Sequence, residues 1–273
     1  MVRESSGAAL LSESQIQQFI HDGYLRIEGA FSRDLAAECR SILWRYVGFS
    51  LEQALGGKRP VVRLGDYPQE PFRQAANMPV LHAAFDRLVG KGRWIPRTSL
   101  GGFVVRFPSE SDPGDTGWHV DASFPGDDRD ETSSAWRVNL VSEGRALLML
   151  FLISDVGPKD APTRIRIGSH LNVARILQPA GVRGMDFMEL ASHLNATDQL
   201  PEAVATGEAG TVYLCHPFLV HAGQPHRGRE PRFLGQPPLY PNGPVQLNRE
   251  GGNYSPVERA TRIGIGMAGG IVA

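Results

Sequence analysis

The sequence has few cysteines, no long hydrophobic run and almost no net charge, and each shortage excludes a class of protein. Its two cysteines, Cys39 and Cys215, lie far apart with no C-x-x-C pair, which argues against a disulfide scaffold or zinc knuckle and favours a reducing, cytoplasmic location. The longest apolar run, residues 146–156, is too short to span a bilayer, and residues 1–11 lack a signal-peptide pattern. We therefore expect no membrane partner.

The charged side chains balance almost completely, with 28 basic and 29 acidic residues among 273. Nucleic-acid-binding domains usually carry a strong basic excess, so this class is not expected. The apolar fraction of 41% is ordinary for a globular protein with a core. Nothing in these numbers indicates an oligomeric state.

The first hundred residues have helical patterns. Ser12 and Gln15 have the spacing of a capping box, and Gly23 is placed to end that helix. A short strand over residues 24–27 and a third helix over residues 80–89 are also predicted. A second helix begins after Ser32, and its expected apolar stripe is Leu35, Cys39, Ile42, Leu43 and Tyr46.

Short strands dominate after residue 100, separated by Gly, Pro, Asp or Ser clusters. This pattern predicts a mainly β fold with flanking helices, a sandwich or jelly roll, with the helices on one outer face. We expect one domain over residues 1–273, with a helical flank (1–100), a β core (101–240) and a C-terminal tail (241–273). A further helix is predicted at 185–193. The predicted strands cover residues 102–107, 118–124, 136–141, 146–153, 163–167, 211–219 and 232–239.

A His-x-Asp pair on a predicted strand is the first candidate for chemistry. His119 and Asp121 would point the same way, because alternate residues of a strand share a face. Two histidines and a carboxylate on one side of an iron ion leave positions open for a chelating cosubstrate and oxygen. A structural histidine beside a surface aspartate is the competing interpretation.

The second half of this candidate site follows about a hundred residues later. His221 ends an apolar strand and turn, and Arg232 begins the last predicted strand eleven residues further on. A guanidinium matches a carboxylate in a planar, bidentate pair, so Arg232 is suited to hold the far end of a 2-oxo diacid. His216 and His226 compete with His221 as ligand, and Arg227 and Arg229 compete with Arg232.

This pattern resembles the phytanoyl-CoA dioxygenase family of iron and 2-oxoglutarate oxygenases. The residue 15–30 segment, with its F-x-x-x-G-Y-x-x-I-x-G run, and residues 151–170, closing in Gly-Ser-His, resemble other parts of that family. The resemblance implies a double-stranded β-helix (jelly roll) that binds Fe(II) through His119, Asp121 and His221, and 2-oxoglutarate through Arg232. It implies a dioxygenase that couples substrate oxidation by O2 to release of succinate and CO2. Asp121 favours hydroxylation, because related halogenases have a small residue there.

Two departures from the family are Val120, where many members have a polar residue, and Ile167, which replaces a common proline. Residues 60–75, 127–145 and the tail after Tyr240 are expected to form a substrate lid. Their composition suggests a small polar or mixed organic metabolite as the substrate. The acidic run at residues 127–131 is interpreted as a solvated loop or, less readily, a second cation site.

Substrate-binding candidates lie beside the predicted ligands. Trp118, Trp136 and Asn139 could line the pocket, although core tryptophans are at least as common. Arg137 and Arg145 could meet an anionic substrate or the cosubstrate, or be solvated. The same three ligands would also suit a cupin-like, non-redox isomerase or hydrolase, and a non-catalytic jelly-roll binding module is a third alternative.

Overall fold

A computed structural model of the chain describes residues 11–48, 60–126 and 136–267. Its helices are α1 (Glu13–Asp22), α2 (Arg33–Val47), α3 (Glu70–Ala76), α4 (Pro79–Leu88), α5 (Ser169–Leu177), α6 (Phe187–Ser192) and α7 (Pro256–Gly264), with 3-10 turns at Gln178–Ala180 and Leu194–Thr197. Its strands are β1 (Tyr24–Ile27), β2 (Val61–Leu64), β3 (Trp94–Ile95), β4 (Phe103–Arg106), β5 (Phe124–Pro125), β6 (Trp136–Val138), β7 (Leu147–Leu152), β8 (Thr163–Arg166), β9 (Met185–Asp186), β10 (Glu202–Ala205), β11 (Val212–Cys215), β12 (His221–Ala222), β13 (Arg232–Gly235) and β14 (Pro238–Pro241).

The helix ends follow the capping rules that the sequence suggested. Ser12 and Gln15 form the predicted capping box, and Gly23 ends α1 in a left-handed conformation. Ser32 caps α2 by accepting a hydrogen bond from the backbone of Leu35. One residue of the predicted α2 stripe was wrong: Tyr46 is about half exposed, and Val47 takes the buried position at the end of the helix.

The larger sheet runs in the order β1-β11-β7-β13-β4-β2, with antiparallel pairing throughout, and β14 pairs with β7. Its central strand β7 is buried on both faces. Leu147, Met149 and Phe151 belong to a core shared with the helices, whereas Leu148 and Leu150 face the other way. The predicted packing of helices against one face of the sheet holds for the helices of the N-terminal flank, whereas α5 belongs to a separate apolar cluster with Val138 and Val220.

The smaller sheet runs β10-β8-β12 and covers the other face of the larger one. A second apolar core lies between the two sheets, since it contains residues of both, including Leu150 of β7 and Ile165 of β8. This arrangement of two facing antiparallel sheets with helices outside is the expected jelly-roll class.

A third small sheet, β5-β6-β9, lies beside the sandwich. The continuous strand predicted over residues 118–124 is not formed. That segment has only an isolated bridge at His119 before the two-residue β5. The strand predicted over residues 232–239 is divided into β13 and β14, and the one over 211–219 ends at Cys215. Short strands of this kind depend on long-range pairing, which local sequence does not report.

The sequence did not predict helices α3, α5 and α7 or strands β2, β3, β10 and β12. The helix predicted over residues 185–193 begins later, because Met185–Asp186 pair with β6 and Asp186 then caps α6. Within the described ranges, no helix combines the length and the hydropathy that crossing a bilayer requires.

Candidate metal centre and substrate cleft

His119 and His221 are brought together by backbone pairing. Each donates its backbone N–H to the other's carbonyl oxygen at 3.0 Å, which forms an isolated antiparallel bridge. Their rings therefore lie on the same side of the bridge, with centroids 4.4 Å apart. The bridge extends the smaller sheet, where His221 pairs with Ile165, so both imidazoles lie at its edge.

Asp121 adds a carboxylate to the two imidazoles and completes a compact group of three possible metal ligands. Its Oδ1 lies 3.7 Å from Nε2 of His119 and 3.6 Å from Nε2 of His221. One donor atom from each side chain lies within 4.8 Å of the other two, a spacing suited to holding one metal ion. His119 and Asp121 converge as predicted, although the segment that carries them is a strand only at the His119 bridge.

Both imidazoles are oriented for metal binding through Nε2. Nδ1 of His119 lies 2.8 Å from the carbonyl oxygen of Gly117, and Nδ1 of His221 lies 3.1 Å from that of Leu219. A carbonyl only accepts, so each Nδ1 carries the proton and each Nε2 keeps a free lone pair. Nε2 of His221 is buried and makes no hydrogen bond, which a metal ion would remedy.

Arg145 lies on the other side of the Asp121 carboxylate. Its Nη1 is 3.5 Å from Oδ2, and its Nη2 donates to the carbonyl oxygen of Ala122. Burial alone would raise the pKa of Asp121, but Arg145 and His221 outweigh it and hold the pKa well below its ordinary value. Burial is the main cause that lowers the pKa of His119, and the neighbouring His221 lowers it further. These shifts favour the metal-binding protonation states of Asp121 and His119.

The competing histidines lie elsewhere. His216 is buried against His170, with ring centroids 4.8 Å apart, and its Nδ1 accepts from the backbone of Phe218. His226 is buried near Asp160 and accepts from the backbone of Gly228. Of the three candidates, the structure brings His221 to the His119–Asp121 pair.

A cavity of ≈ 60 Å³ adjoins the two histidines and is lined by arginines. Arg232 and Arg106 are directly paired across β13 and β4, and both are buried. Arg106 Nη2 donates to Asp115 Oδ1 at 2.7 Å, Arg63 donates to the same carboxylate, and Arg232 donates to the carbonyl oxygen of Ala161. Burial, then the neighbouring Arg106, lowers the pKa of Arg232 to about 9.

This cavity holds more positive than negative charge. Three guanidinium groups face one carboxylate, that of Asp115. Nε and Nη1 of Arg106 and Nε of Arg232 are buried without a hydrogen-bond partner. Buried donors of this kind normally have partners, so the cluster is suited to an anion. Sequence reasoning missed Arg106 and Arg63, which no motif separates from other strand arginines.

Gly223 provides the space for this cluster. A Cβ atom at this position would lie 2.4 Å from Nη2 of Arg106 and 2.8 Å from the carbonyl oxygen of Asp115. The competing arginines are placed differently: Arg227 is paired with exposed Glu110, and Arg229 lines a separate surface groove. Arg232 is the one of the three that lines the cavity beside the histidines.

A wider cleft of ≈ 820 Å³ opens on the Asp121 side of the site. Its apolar wall comes from α6 and β6. Phe187 packs on His119 with ring centroids 5.7 Å apart, and Met188 and Trp136 are 66% and 40% exposed. The sequence predicted a helix near residue 187 but gave no sign that its first turn borders the site.

The other predicted substrate residues are engaged in packing. Trp118 borders the cleft, but its indole stacks with Arg164 and Arg166, each guanidinium carbon 4.3 Å from the ring centroid. Arg137 donates to the carbonyl oxygens of Arg183 and Gly184, at 2.9 and 2.8 Å. Asn139 is fully buried and donates to the carbonyl oxygen of Val182. Arg137 and Asn139 do not line the cleft in the described part of the chain.

Only a few residues of the predicted lid segments line the cleft. Arg63, Trp136 and Arg145 border it, whereas residues 127–135, with the acidic run 127–131, lie outside the described residues. The tail after Tyr240 instead lines a different pocket, where Glu258 is paired with Arg93 and Arg249. That tail packs as α7 against α1 and α5.

Comparison with known proteins identifies the fold. No family model matches the chain, and no curated protein sequence matches it. Solved structures do. The non-heme alpha ketoglutarate dependent carbocyclase SnoK from nogalamycin biosynthesis is 18% identical, with 87% of each chain covered and a TM-score of 0.59. HygX from Streptomyces hygroscopicus, crystallised with nickel, 2-oxoglutarate and hygromycin B, is 20% identical, with 83% of this chain and 86% of that chain covered and a TM-score of 0.52.

The epimerase SnoN, crystallised with Fe3+, alpha ketoglutarate and nogalamycin RO, is 18% identical, with 82% of this chain and 81% of that chain covered and a TM-score of 0.53. At identities this low, the TM-scores over most of each chain show a shared fold and no more.

Proposed function

We propose that the chain is an Fe(II)- and 2-oxoglutarate-dependent dioxygenase, similar to the phytanoyl-CoA dioxygenase family, that hydroxylates an organic metabolite. The observation that carries this proposal is the convergence of His119, Asp121 and His221, with both Nε2 atoms and Oδ1 turned toward one point. A two-histidine, one-carboxylate set with open positions is the ligand pattern of non-haem Fe(II) oxygenases.

The fit to a metal ion rests on the chain's own hydrogen bonds. The carbonyl oxygens of Gly117 and Leu219 fix each imidazole with its Nε2 unprotonated. The buried, unpaired Nε2 of His221 would be costly in the absence of a partner. His119 and His221 would hold the ion through Nε2 and Asp121 through Oδ1.

The arginine-lined cavity supports 2-oxoglutarate as the cosubstrate. Arg232 and Arg106 carry unpaired donors beside the two histidines, and Asp115 leaves part of their charge uncompensated. A dicarboxylate would supply both the acceptors and the negative charge. This feature favours the oxygenase over a non-redox cupin-like isomerase or hydrolase, for which Arg106 and Arg232 would have no role.

Bound Fe(II) and 2-oxoglutarate would supply oxidation, in which decarboxylation to succinate and CO2 accompanies transfer of one atom of O2 to a substrate C–H bond. The residues of the chain orient and shield these groups. Phe187 packs against His119 and helps to exclude water from the histidine face, and Arg145 holds the second oxygen of Asp121. SnoK, SnoN and HygX, whose fold this chain shares, support the same class, although the first two are a carbocyclase and an epimerase.

Anaerobic absorption spectroscopy tests this proposal directly. Fe(II) and 2-oxoglutarate together should give the purified protein a weak visible charge-transfer band. Exposure to air should then release succinate, and H119A should abolish both signals. The matched control H193A, in an exposed histidine outside the site, should retain both.

Two results would contradict the proposal in different ways. If 2-oxoglutarate binds the unmodified protein no more tightly than it binds R232M, the cosubstrate assignment is wrong. If the metal-loaded protein turns over a substrate without O2, the non-redox class is correct instead.

A further inference from the structure

The cleft beside Asp121 is wide, and one of its walls is apolar. Its ≈ 820 Å³ lies within the size range of pockets that enclose drug-sized ligands. The side chains of Trp136, Phe187 and Met188 give it an apolar wall next to His119. Large apolar side chains exposed together at a concave site indicate a ligand that covers them.

The charged groups of the cleft are largely neutralised by each other. Arg145 faces Asp121, and Arg63 is paired with Asp115. Two arginines and two aspartates line the cleft, so its formal charges balance, whereas the adjoining cavity shares Arg63 and Asp115 and adds Arg106 and Arg232. The cleft is therefore suited to a largely neutral molecule.

Arg145 supplies the polar contact that such a molecule needs. Its side chain is 10% exposed and its Nε is buried without a hydrogen-bond partner, while its Nη1 lies 3.5 Å from Asp121 in an ion pair that is too long for a good hydrogen bond. A buried N–H of this kind normally has an acceptor. An oxygen of the substrate placed beside Arg145 would lie close to Asp121, and so close to the proposed metal.

We propose, on the basis of the function proposed above, that the substrate is a largely neutral organic molecule with a flat apolar ring system and an oxygen that accepts from Arg145. The ring system packs against Phe187, Met188 and Trp136, and the oxygen directs the neighbouring carbon toward the face of His119 and Asp121. This substrate class is larger and less polar than the metabolite that composition suggested.

Equilibrium dialysis of the full-length, metal-free protein tests the proposal without depending on metal or cosubstrate. The probes are 2-naphthol, naphthalene and L-proline. We expect both aromatic probes to bind, 2-naphthol about tenfold more tightly because of its oxygen, and L-proline not to bind. R145M should remove the advantage of 2-naphthol, whereas R175M, in an exposed arginine of α5, should preserve it.

Variants at the rim keep the test valid should R145M fail to fold. M188A and W136A change exposed side chains and should each weaken both aromatic probes roughly fivefold. I263A, in an exposed apolar residue of α7 that does not line the cleft, should leave binding unchanged. Equal binding of L-proline and 2-naphthol, or unchanged binding in M188A and W136A, would overturn the proposal.

A parallel Fe(II) titration of the same samples separates this inference from the proposed function. Metal and 2-oxoglutarate binding without aromatic binding would refute the substrate class alone. Aromatic binding without metal binding would refute the oxygenase and leave a ring-binding cleft.

Discussion

Arg145 and the two histidines approach different oxygens of the Asp121 carboxylate. Nη1 of Arg145 lies 3.5 Å from Oδ2, while Oδ1 faces Nε2 of His119 and His221. The guanidinium thus keeps Oδ2 away from the imidazoles and leaves Oδ1 to act as a single-atom ligand. This is a positioning role that a solvated arginine could not perform.

R145M should therefore weaken metal binding without removing a ligand. Partners that orient metal ligands typically contribute about 10- to 100-fold in affinity, and we expect a loss in that range. Anaerobic calorimetric titration with Fe(II) measures it. R145K should recover part of the affinity, because it restores the charge but not the planar group. Identical affinities for R145M and the R175M control would show that Asp121 needs no such support.

Metal binding should stabilise the folded chain. His221 is about a hundred residues from His119 and Asp121, so the unfolded chain has no complete site. Metal at about 100 times its dissociation constant should therefore add about 2.7 kcal/mol to the free energy of unfolding. Denaturant unfolding with and without the ion measures this gain. H221A and D121A should lose it, while H193A should keep it. A gain that persisted in H221A would place the ion elsewhere.

Arg106 and Arg232 should contribute together to 2-oxoglutarate binding. Removing one charge-assisted partner costs about 1.5–3 kcal/mol, so R232M and R106M should each raise the dissociation constant at least tenfold. The double variant should lose less than the sum, because both groups serve one ligand in one cavity. Dialysis with labelled 2-oxoglutarate checks this, with R227M as the exposed control. Full additivity would indicate separate sites.

The same arginines should be dispensable for folding. They lie opposite each other on β13 and β4 and repel, so R232M should lower the free energy of unfolding without cosubstrate by at most about 1 kcal/mol. Urea unfolding of the ligand-free protein tests this. A much larger loss would mean that the hydrogen bond from Arg232 to Ala161 is structural.

Buried neutral histidines should make the fold sensitive to acid. Burial lowers the pKa of His170 to about 4 and that of His216 well below its ordinary value. A group whose folded pKa is depressed gives its stability fully above the unfolded pKa, near 6.5, and loses it as pH falls toward the folded value. His170 alone should thus contribute a loss of about 3 kcal/mol between pH 6.5 and 4.

The variant H170Q isolates this effect. It should be less stable at pH 7, where the bond to the carbonyl oxygen of Ile20 is disturbed, but its stability should fall less steeply below pH 6.5. The exposed His193 provides the control H193Q, which should keep the slope of the unmodified protein. An unchanged slope in H170Q would show that other groups govern acid unfolding.

Local chemistry in the sequence determined several features by itself. Ser12, Gln15 and Gly23 specify both ends of α1, because capping depends on neighbouring backbone groups. The His119-x-Asp121 spacing kept two metal-ligand types close together for a similarly local reason, even though the predicted strand forms only the His119 bridge. The continuous run of apolar residues made β7 recognisable as a core strand.

Only the tertiary structure decided which distant residues meet. The bridge between His119 and His221 selects His221 over His216, because backbone pairing across the sheet is not encoded near either residue. Arg106 and Arg145 look like ordinary charged residues in sequence and acquire roles only through Arg232 and Asp121 beside them. Phe187 borders the site because β9 pairs with β6 and directs α6 over His119. Ligand types can be read from local spacing, whereas their partners are fixed by long-range packing.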